Sequence, residues 1–408
     1  MSGDRVRVGV LGVGAVAQAV HLPLLARRPD LFEIAAICDL SAELVNAMGD
    51  RFGIAPARRF TAYEDMLAAG GLDAVMILSR GSHAEPVLQA WRAGLPVFCE
   101  KPLAYTVAEV DALLAAEPAG RPAILLGYMK QYDPAVIAAS ELVAQLDDVR
   151  SVEVTVLHPP SAPQLAIARI VTPSSPPPAE VVAAQEAEDD RLRRIAVGEA
   201  DLDVWRTYRV PLVGSLAHDL SVMRSLGTIP VAVEHADVWR QSSASQVRDI
   251  SRDRRSMGEV PPQVAASGIL ENGGRFRLAW HYLPDFPAYR ETVRVIHGAG
   301  VLELVFPSPY LLHAPTELTV STLDDGAERR VIRRSVTEAF ETQLEAFAAM
   351  VRDGAEPRSG LAGGRADIVD CQRIIAAWTG PRGIPVGGEI GARIALDRSP
   401  ADAVEAVH

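Results

Sequence analysis

Cysteine is scarce. The 408-residue chain holds three, Cys38, Cys99 and Cys371, an odd number at wide spacings. That pattern suits neither a disulfide framework nor a zinc site, so buried free thiols are expected. Long apolar runs are missing as well. No stretch reaches the roughly 18 residues that a membrane span needs, and Met1-Ser2-Gly3-Asp4-Arg5 opens the chain without an apolar segment. Neither a membrane span nor a signal peptide is expected, and the chain reads as cytoplasmic. Positive charge is in deficit: 40 basic against 52 acidic residues leave a net charge of −12, which repels a nucleic-acid backbone. His158, His235, His281, His297 and His313 are scattered without ligand spacing, so no metal centre is expected. No G-x-S-x-G elbow occurs, which removes the hydrolases built on one.

What is present is alternation. Apolar runs at Val6–Leu11, Ile34–Cys38, Ala74–Leu78, Pro96–Cys99 and Ala123–Gly127 read as strands, and helical periodicity fills the gaps at Ala15–Arg27, Ala84–Ala93 and Val107–Ala116. Such βαβ alternation predicts a parallel sheet covered on both faces. Single cores seldom exceed about 250 to 300 residues, so two domains are expected, divided at residues 1–128 and 129–408. The second part opens with a helix over Pro134–Leu146 and a strand at Val152–Leu157. A proline-rich, irregular tract then reads as an insertion over about 159–205, with one amphipathic helix at Ala179–Val197. From Val231 to Arg333 the pattern turns to period two. Asn272-Gly273-Gly274, Gly298-Ala299-Gly300 and Asp324-Asp325-Gly326 break it as hairpin turns, predicting a mostly antiparallel sheet. Helices return at Val336–Arg352 and Ala366–Ala377, within 336–378.

Three features carry chemistry. Gly12-Val13-Gly14-Ala15-Val16-Ala17 follows the first strand and opens the first helix, the context in which G-x-G-x-x-A brings backbone N–H groups to a pyrophosphate. Asp39, 22 residues past Ala17, ends the second strand, where a carboxylate accepts the ribose hydroxyls of an adenosine. Leu40 and Ser41 follow it and supply no arginine for a 2′-phosphate, so the pattern favours NAD over NADP. A cap role for Asp39 on the next helix is the plainer alternative, although Ser41 suits it better. Glu100-Lys101-Pro102 closes the fourth long strand at the edge where open α/β sheets bind ligands. Lys101 in that place reaches a nicotinamide and a substrate hydroxyl, or else makes a surface ion pair with Glu100. Trp280 and Tyr282 could stack on a sugar ring, but core packing is the more frequent use of such residues.

With these features in this order, the chain resembles the glucose-fructose oxidoreductase, inositol dehydrogenase and rhizopine-catabolism family, Gfo/Idh/MocA. The likeness extends to Ser82-His83-Ala84-Glu85, to Gly127-Tyr128-Met129-Lys130-Gln131-Tyr132-Asp133-Pro134 and to Gly364-Arg365-Ala366-Asp367. It implies an α/β chain: an N-terminal Rossmann dinucleotide-binding domain, then an α/β domain with a large, mostly antiparallel open sheet that makes homodimer or homotetramer contacts. It implies an NAD-dependent oxidoreductase acting on a secondary alcohol of a sugar, glycoside, amino sugar or cyclitol. Two alternatives stand beside it: NAD-assisted elimination or glycoside cleavage without net redox, and a non-catalytic dinucleotide-binding regulator. Lys101 and His218 become the expected catalytic residues. Gly12 to Ala17, Asp39, Ser79, His83, Glu100 and Lys101 become the expected cofactor contacts, with His83 ordering its turn. Lys101, Lys130, Tyr132 and His218 become the expected substrate contacts, with a structural role the alternative for Lys130 and Tyr132. One departure stands out: the family pairs its histidine with an Asp four residues earlier, and here Gly214 precedes His218. Either His218 works with Lys101 alone, or Asp219 or a tyrosine such as Tyr132 supplies the lost group, or the chemistry is not a simple alcohol oxidation. A core histidine paired with a carbonyl is the plainer alternative for His218.

Overall fold

The computed structural model describes residues 5–240, 261–286 and 288–397. Six parallel strands form the first sheet: β1 (Val6–Leu11), β2 (Phe32–Cys38), β3 (Arg59–Phe60), β4 (Ala74–Ile77), β5 (Val97–Cys99) and β6 (Ile124–Leu126). Their order is β3-β2-β1-β4-β5-β6, so the winding reverses between β1 and β4. At such a switch point the loops leave the strand ends in opposite directions and open a crevice. The central strands are apolar on both faces because both are covered. Ala74 and Met76 pack with Leu344 and Phe347 on one side, while Val75 and Ile77 join a core that continues into the second half. β3 has only two residues, too few for any periodicity to show.

The second sheet has eight strands: β7 (Val149–His158), β8 (Pro230–Trp239), β9 (Gln263–Leu270), β10 (Arg275–Tyr282), β11 (Arg290–His297), β12 (Gly300–Phe306), β13 (Glu317–Asp324) and β14 (Ala327–Arg334). They run in the order β14-β13-β12-β11-β7-β10-β9-β8, antiparallel except for β7 beside β10. The sheet is open, with β14 and β8 at its edges. Alternation is the cause of its one-sided burial: Val152, Val154 and Val156 are buried while Ser151, Glu153 and Thr155 between them are not. All three expected hairpin turns fall between paired strands. The 241–260 part of the period-two region lies outside the described residues, as do 1–4 and 398–408.

Several helices differ from the periodicity. The first begins at Ala15 but is π-wound over Ala17–His21 before Leu22–Arg27. The C-terminal pair runs Ala339–Asp353 and Leu361–Arg382, and a further helix, Gly388–Asp397, follows. The inserted tract is less irregular than its prolines suggest. It holds short turns at Ser161–Leu165 and Ala166–Ala168 ahead of the helix Ala179–Val197. All three cysteines are buried and free, and no helix among the described residues is long and apolar enough to cross a membrane.

Arg224 on the helix Ala217–Ser225 donates twice to Asp367 on Leu361–Arg382, and Asp367 is 1 % exposed. Removing the cation would strand a buried carboxylate, which typically costs about 3 kcal/mol or more. Arg224→Met should therefore lower the unfolding free energy by about 3 kcal/mol in urea melts, with Asp367→Asn losing less. A second expectation concerns pH. Burial pushes Glu338, which caps the helix Ala339–Asp353, up to about 7 from 4.5. Because the folded chain binds this proton more tightly than the unfolded chain, its stabilisation is full below about pH 4.5 and is lost as pH rises through 7. The ceiling is about 3 kcal/mol. Glu338→Gln should flatten that loss, gaining on the parent chain by about 1–3 kcal/mol between pH 5 and pH 8.

Candidate active site

The carboxyl ends of β1, β2, β4, β5 and β6 bring the expected residues to one edge. Gly12 has φ +89°, and a side chain there would start 2.6 Å from the Ser79 nitrogen, so the loops after β1 and β4 touch backbone to backbone. At Gly14 the opposite holds: a Cβ would meet nothing within 4 Å. The turn thus leaves an open cradle in front of the helix starting at Ala15, where unpaired N–H groups suit a pyrophosphate. Asp39 accepts from the Val13 N–H at 2.9 Å and from the Ser41 N–H at 3.0 Å, fixing the turn beside the ribose position. Ser41, not Asp39, caps the following helix Ala42–Phe52. His83 is fully buried, its Nε2 2.8 Å from the Ser79 carbonyl and its N–H on the Leu103 carbonyl. It orders the loops after β4 and β5, and burial pushes its pKa down. These residues fit a dinucleotide.

The inserted tract crosses this groove. Gln18 donates from Nε2 to the carbonyls of Val13 and Val171 and accepts the Val171 N–H at 2.8 Å. Further along, Ser174 donates its N–H and its hydroxyl to Glu43, both at 2.8 Å. Residues 171–174 therefore span from the first helix to the helix after Asp39.

At the end of β5, Glu100 and Lys101 do not form the surface ion pair offered as an alternative. Both turn inward. Glu100 Oε1 lies 2.8 Å from His21 Nε2, and its Oε2 accepts the Lys101 N–H at 3.0 Å. The π-wound turn that carries His21 places that ring against Glu100 and edge-on to Phe98 and Phe340. Burial opposes charge on Glu100, yet the His21 hydrogen bond and Lys101 hold its carboxyl below the usual range. The Lys101 ammonium instead donates to the Gly214 carbonyl at 2.6 Å. Burial, opposed by Glu100 and aided by Lys130, pulls its pKa down.

Gly214 lies in a π-wound stretch, Tyr208–Leu216, built around Pro211 and leading into Ala217–Ser225. A side chain at 214 would begin 2.9 Å from the Arg209 carbonyl oxygen. This backbone has little room for a carboxylate there, and a main-chain oxygen occupies the place facing Lys101. His218 follows one turn later, edge-on to Tyr128 at 5.8 Å. Burial, then Lys101 and Lys130, push its pKa well below 6.5, so the imidazole is neutral at physiological pH.

Lys101, Lys130 and His218 line one cavity of about 120 Å³. Tyr132, expected beside them, is not there. It is 2 % exposed, and its hydroxyl pairs with Ser359 at 3.1 Å and accepts the Arg358 N–H. The short turn Met129–Tyr132 is 3-10 wound, and it sends Lys130 to the cavity and Tyr132 to the core. Trp280 and Tyr282 are buried too, with Trp280 donating to Ser215. Pattern reading missed other lining residues: His158, Gln164, Ser215, Tyr289, Tyr310 and Phe340. Gln164 comes from the inserted tract. One signal was available, since Lys101 and Lys130 are the only two lysines among 40 basic residues, and both line the cavity. A larger cleft, about 820 Å³, lies at the opposite, amino-terminal edge of the first sheet. There Arg7 pairs with Asp73 and Arg5 with Glu33, Arg121 and Arg352 donate to main-chain carbonyls, and none of the chemistry above reaches it.

Residues 6–124 match the oxidoreductase family with the NAD-binding Rossmann fold, Gfo/Idh/MocA. Over those residues the chain is similar to that family. Inositol 2-dehydrogenase 3 of Saccharopolyspora erythraea is 38 % identical over 140 residues, 34 % of this chain and 40 % of that protein. Inositol 2-dehydrogenase of Acidiphilium cryptum is 37 % identical over 130 residues, 31 % of this chain and 38 % of that protein. The likeness in sequence thus spans about two fifths of those relatives. In structure it spans nearly all. Aldose-aldose oxidoreductase from Caulobacter crescentus superposes with a TM-score of 0.65 at 21 % identity, covering 91 % of this chain and 97 % of that one. Myo-inositol 2-dehydrogenase from Lactobacillus plantarum gives 0.62 at 18 % identity, covering 92 % and 97 %. The fold of nearly the whole chain is therefore that of these two proteins.

The Gly14 cradle is testable without turnover. Gly14→Val should melt like the parent chain alone but lose the rise in melting temperature that NAD gives, with NAD binding weakened roughly 100-fold, the equivalent of about 3 kcal/mol.

Proposed function

We propose that the protein is an NAD-dependent oxidoreductase that moves a hydride between nicotinamide and a secondary alcohol of a sugar, glycoside, amino sugar or cyclitol. One observation carries the reading: Lys101, Lys130 and His218, from three separate elements, meet in one cavity at the sheet edge that holds the glycine turn. The named activities of the inositol dehydrogenase and aldose oxidoreductase relatives support it. NAD is favoured over NADP because Asp39 ends β2 without a following arginine. Glu43 adds a second carboxylate on the first turn of the next helix, unfavourable for a 2′-phosphate.

Bound nicotinamide would supply the hydride acceptor or donor. Lys101 has donors to spare beyond the one on Gly214, and these orient a substrate hydroxyl and stabilise negative charge on its oxygen. His218 is the neutral base that receives the hydroxyl proton. The Gly214 carbonyl holds the lysine where the family uses a carboxylate on that helix.

A second reading keeps the cofactor in place, with oxidation and reduction cancelling within one turnover. The bridge from Gln18 through Val171 and Ser174 to Glu43 favours it, because it ties the inserted tract to the two helices that follow the glycine turn and Asp39. Absorbance of free NADH separates the two readings.

A panel of sugars and cyclitols with NAD, followed by NADH absorbance, tests the proposal. His218→Ala should lower kcat by about 10² to 10⁴, and normal turnover by that variant would sink the assigned base. Since His218 resists protonation, the acid limb of kcat/KM should lie below pH 6.5.

A further inference from the structure

Three buried carboxyl oxygens near the cavity have no N–H or O–H donor: both of Asp219 and Oε1 of Glu291. Asp219 is 1 % exposed and Glu291 not at all. One comes from the helix Ala217–Ser225 and the other from β11, yet the two carboxyls lie in hydrogen-bonding contact. Two ionised carboxylates in that setting would repel and leave all three oxygens unsatisfied. A single shared proton removes the repulsion and pairs two of the three oxygens, leaving one uncharged Asp219 carbonyl oxygen, which costs less to bury unpaired than an ionised one. The remaining oxygen, Oε2 of Glu291, takes the Lys130 ammonium and, at 2.6 Å, the Tyr289 hydroxyl. Glu291 therefore keeps the charge and Asp219 the proton.

We propose that Asp219 is a neutral acid donating to Glu291, and that Glu291 is the positioning residue that aims Lys130 and Tyr289 into the substrate cavity. Both aimed side chains line that cavity. The Phe306 ring, 5.2 Å from Lys130 Nζ, supports the ammonium from another side. The charged and titratable groups around the pair agree. Burial and then Glu291 push Asp219 well above the usual carboxylate range, with Lys130 opposing. Burial works against charge on Glu291, but Lys130, Asp219 and Tyr289 hold it below. Tyr289, with Tyr310 beyond it, stays protonated through burial, and His218 beside Asp219 is neutral. Asp219 is thus not the group that replaces the carboxylate missing at Gly214. The negative charge that organises this side of the site comes from the second sheet.

This inference rests on the cavity being the substrate site, so its test has two arms. In steady-state kinetics Glu291→Gln should raise KM for the polyol roughly 10- to 100-fold, the worth of a hydrogen bond to a charged group, while kcat changes little. Asp219→Leu should do the same. Asp219→Asn, whose amide donates to Glu291 as the acid does, should restore KM. Loss of kcat in Asp219→Asn would mean an ionised base at 219 and overturn the proposal. Should Glu291→Gln not fold, Tyr289→Phe carries this arm, with an unchanged KM counting against the positioning role. The second arm needs no substrate. A proton held on Asp219 stabilises the fold at low pH and is lost as pH rises. The melting temperature of the parent chain should therefore fall relative to Asp219→Asn on going from pH 5 to pH 9. The opposite slope would show an ionised Asp219 and overturn the assignment. If the parent chain turns over no sugar or cyclitol, the proposed function falls and the melting arm alone decides the carboxyl pair.

Discussion

The hydrogen bond from the Lys101 ammonium to the Gly214 carbonyl joins two halves of the site that the chain builds far apart. Lys101 leaves the last turn of a parallel strand, held from behind by Glu100 and His21. Gly214 belongs to a helix that comes after the second sheet has begun and the inserted tract has passed. The carbonyl is there because the helix is π-wound around Pro211, and a side chain in its place would crowd Arg209. His218 follows at a fixed helical offset, so the geometry of lysine and histidine is set by one main-chain oxygen. A neutral acceptor does less than a carboxylate to keep an ammonium charged. Burial and Lys130 therefore act on Lys101 with only Glu100 to oppose them.

Charge is held in the same economical way on the far wall. Lys130 is buried against Glu291, and removing either partner would leave the other buried without its counter-ion. Among the described residues, most other ion pairs are half-exposed arginine–carboxylate contacts of small individual worth. The few buried ones cluster around the cavity and between the helices that carry it, as with Arg224 and Asp367.

Much of this was legible before the structure. Local signals survive in sequence when the backbone demands them: Gly12 needs its positive φ, Asp39 follows a strand end, and alternation in β7 and β10 declares a one-sided sheet. Lys101, Lys130 and His218 were named on motif grounds, and all three line the cavity. Of the two roles open for Tyr132 the structure takes the structural one, a choice hidden in sequence because the winding of a four-residue turn decides which neighbour points inward. Tyr289 and Glu291 were missed because nothing nearby marks them; only the pairing of β11 with β7 brings them to the site. The docking of Val171 and Ser174 on Gln18 and Glu43 was equally silent, since its contacts link residues more than a hundred positions apart.

The two lysines have a practical consequence. In most proteins of this length, primary amines are spread over the surface and outnumber any in a binding cavity. Here the side-chain amines of the whole chain are confined to one small space, and arginine carries the rest of the positive charge. Acylation or reductive alkylation of a side-chain amine can occur only inside that space. The extent of labelling is then a direct gauge of whether the cavity is open, closed or filled.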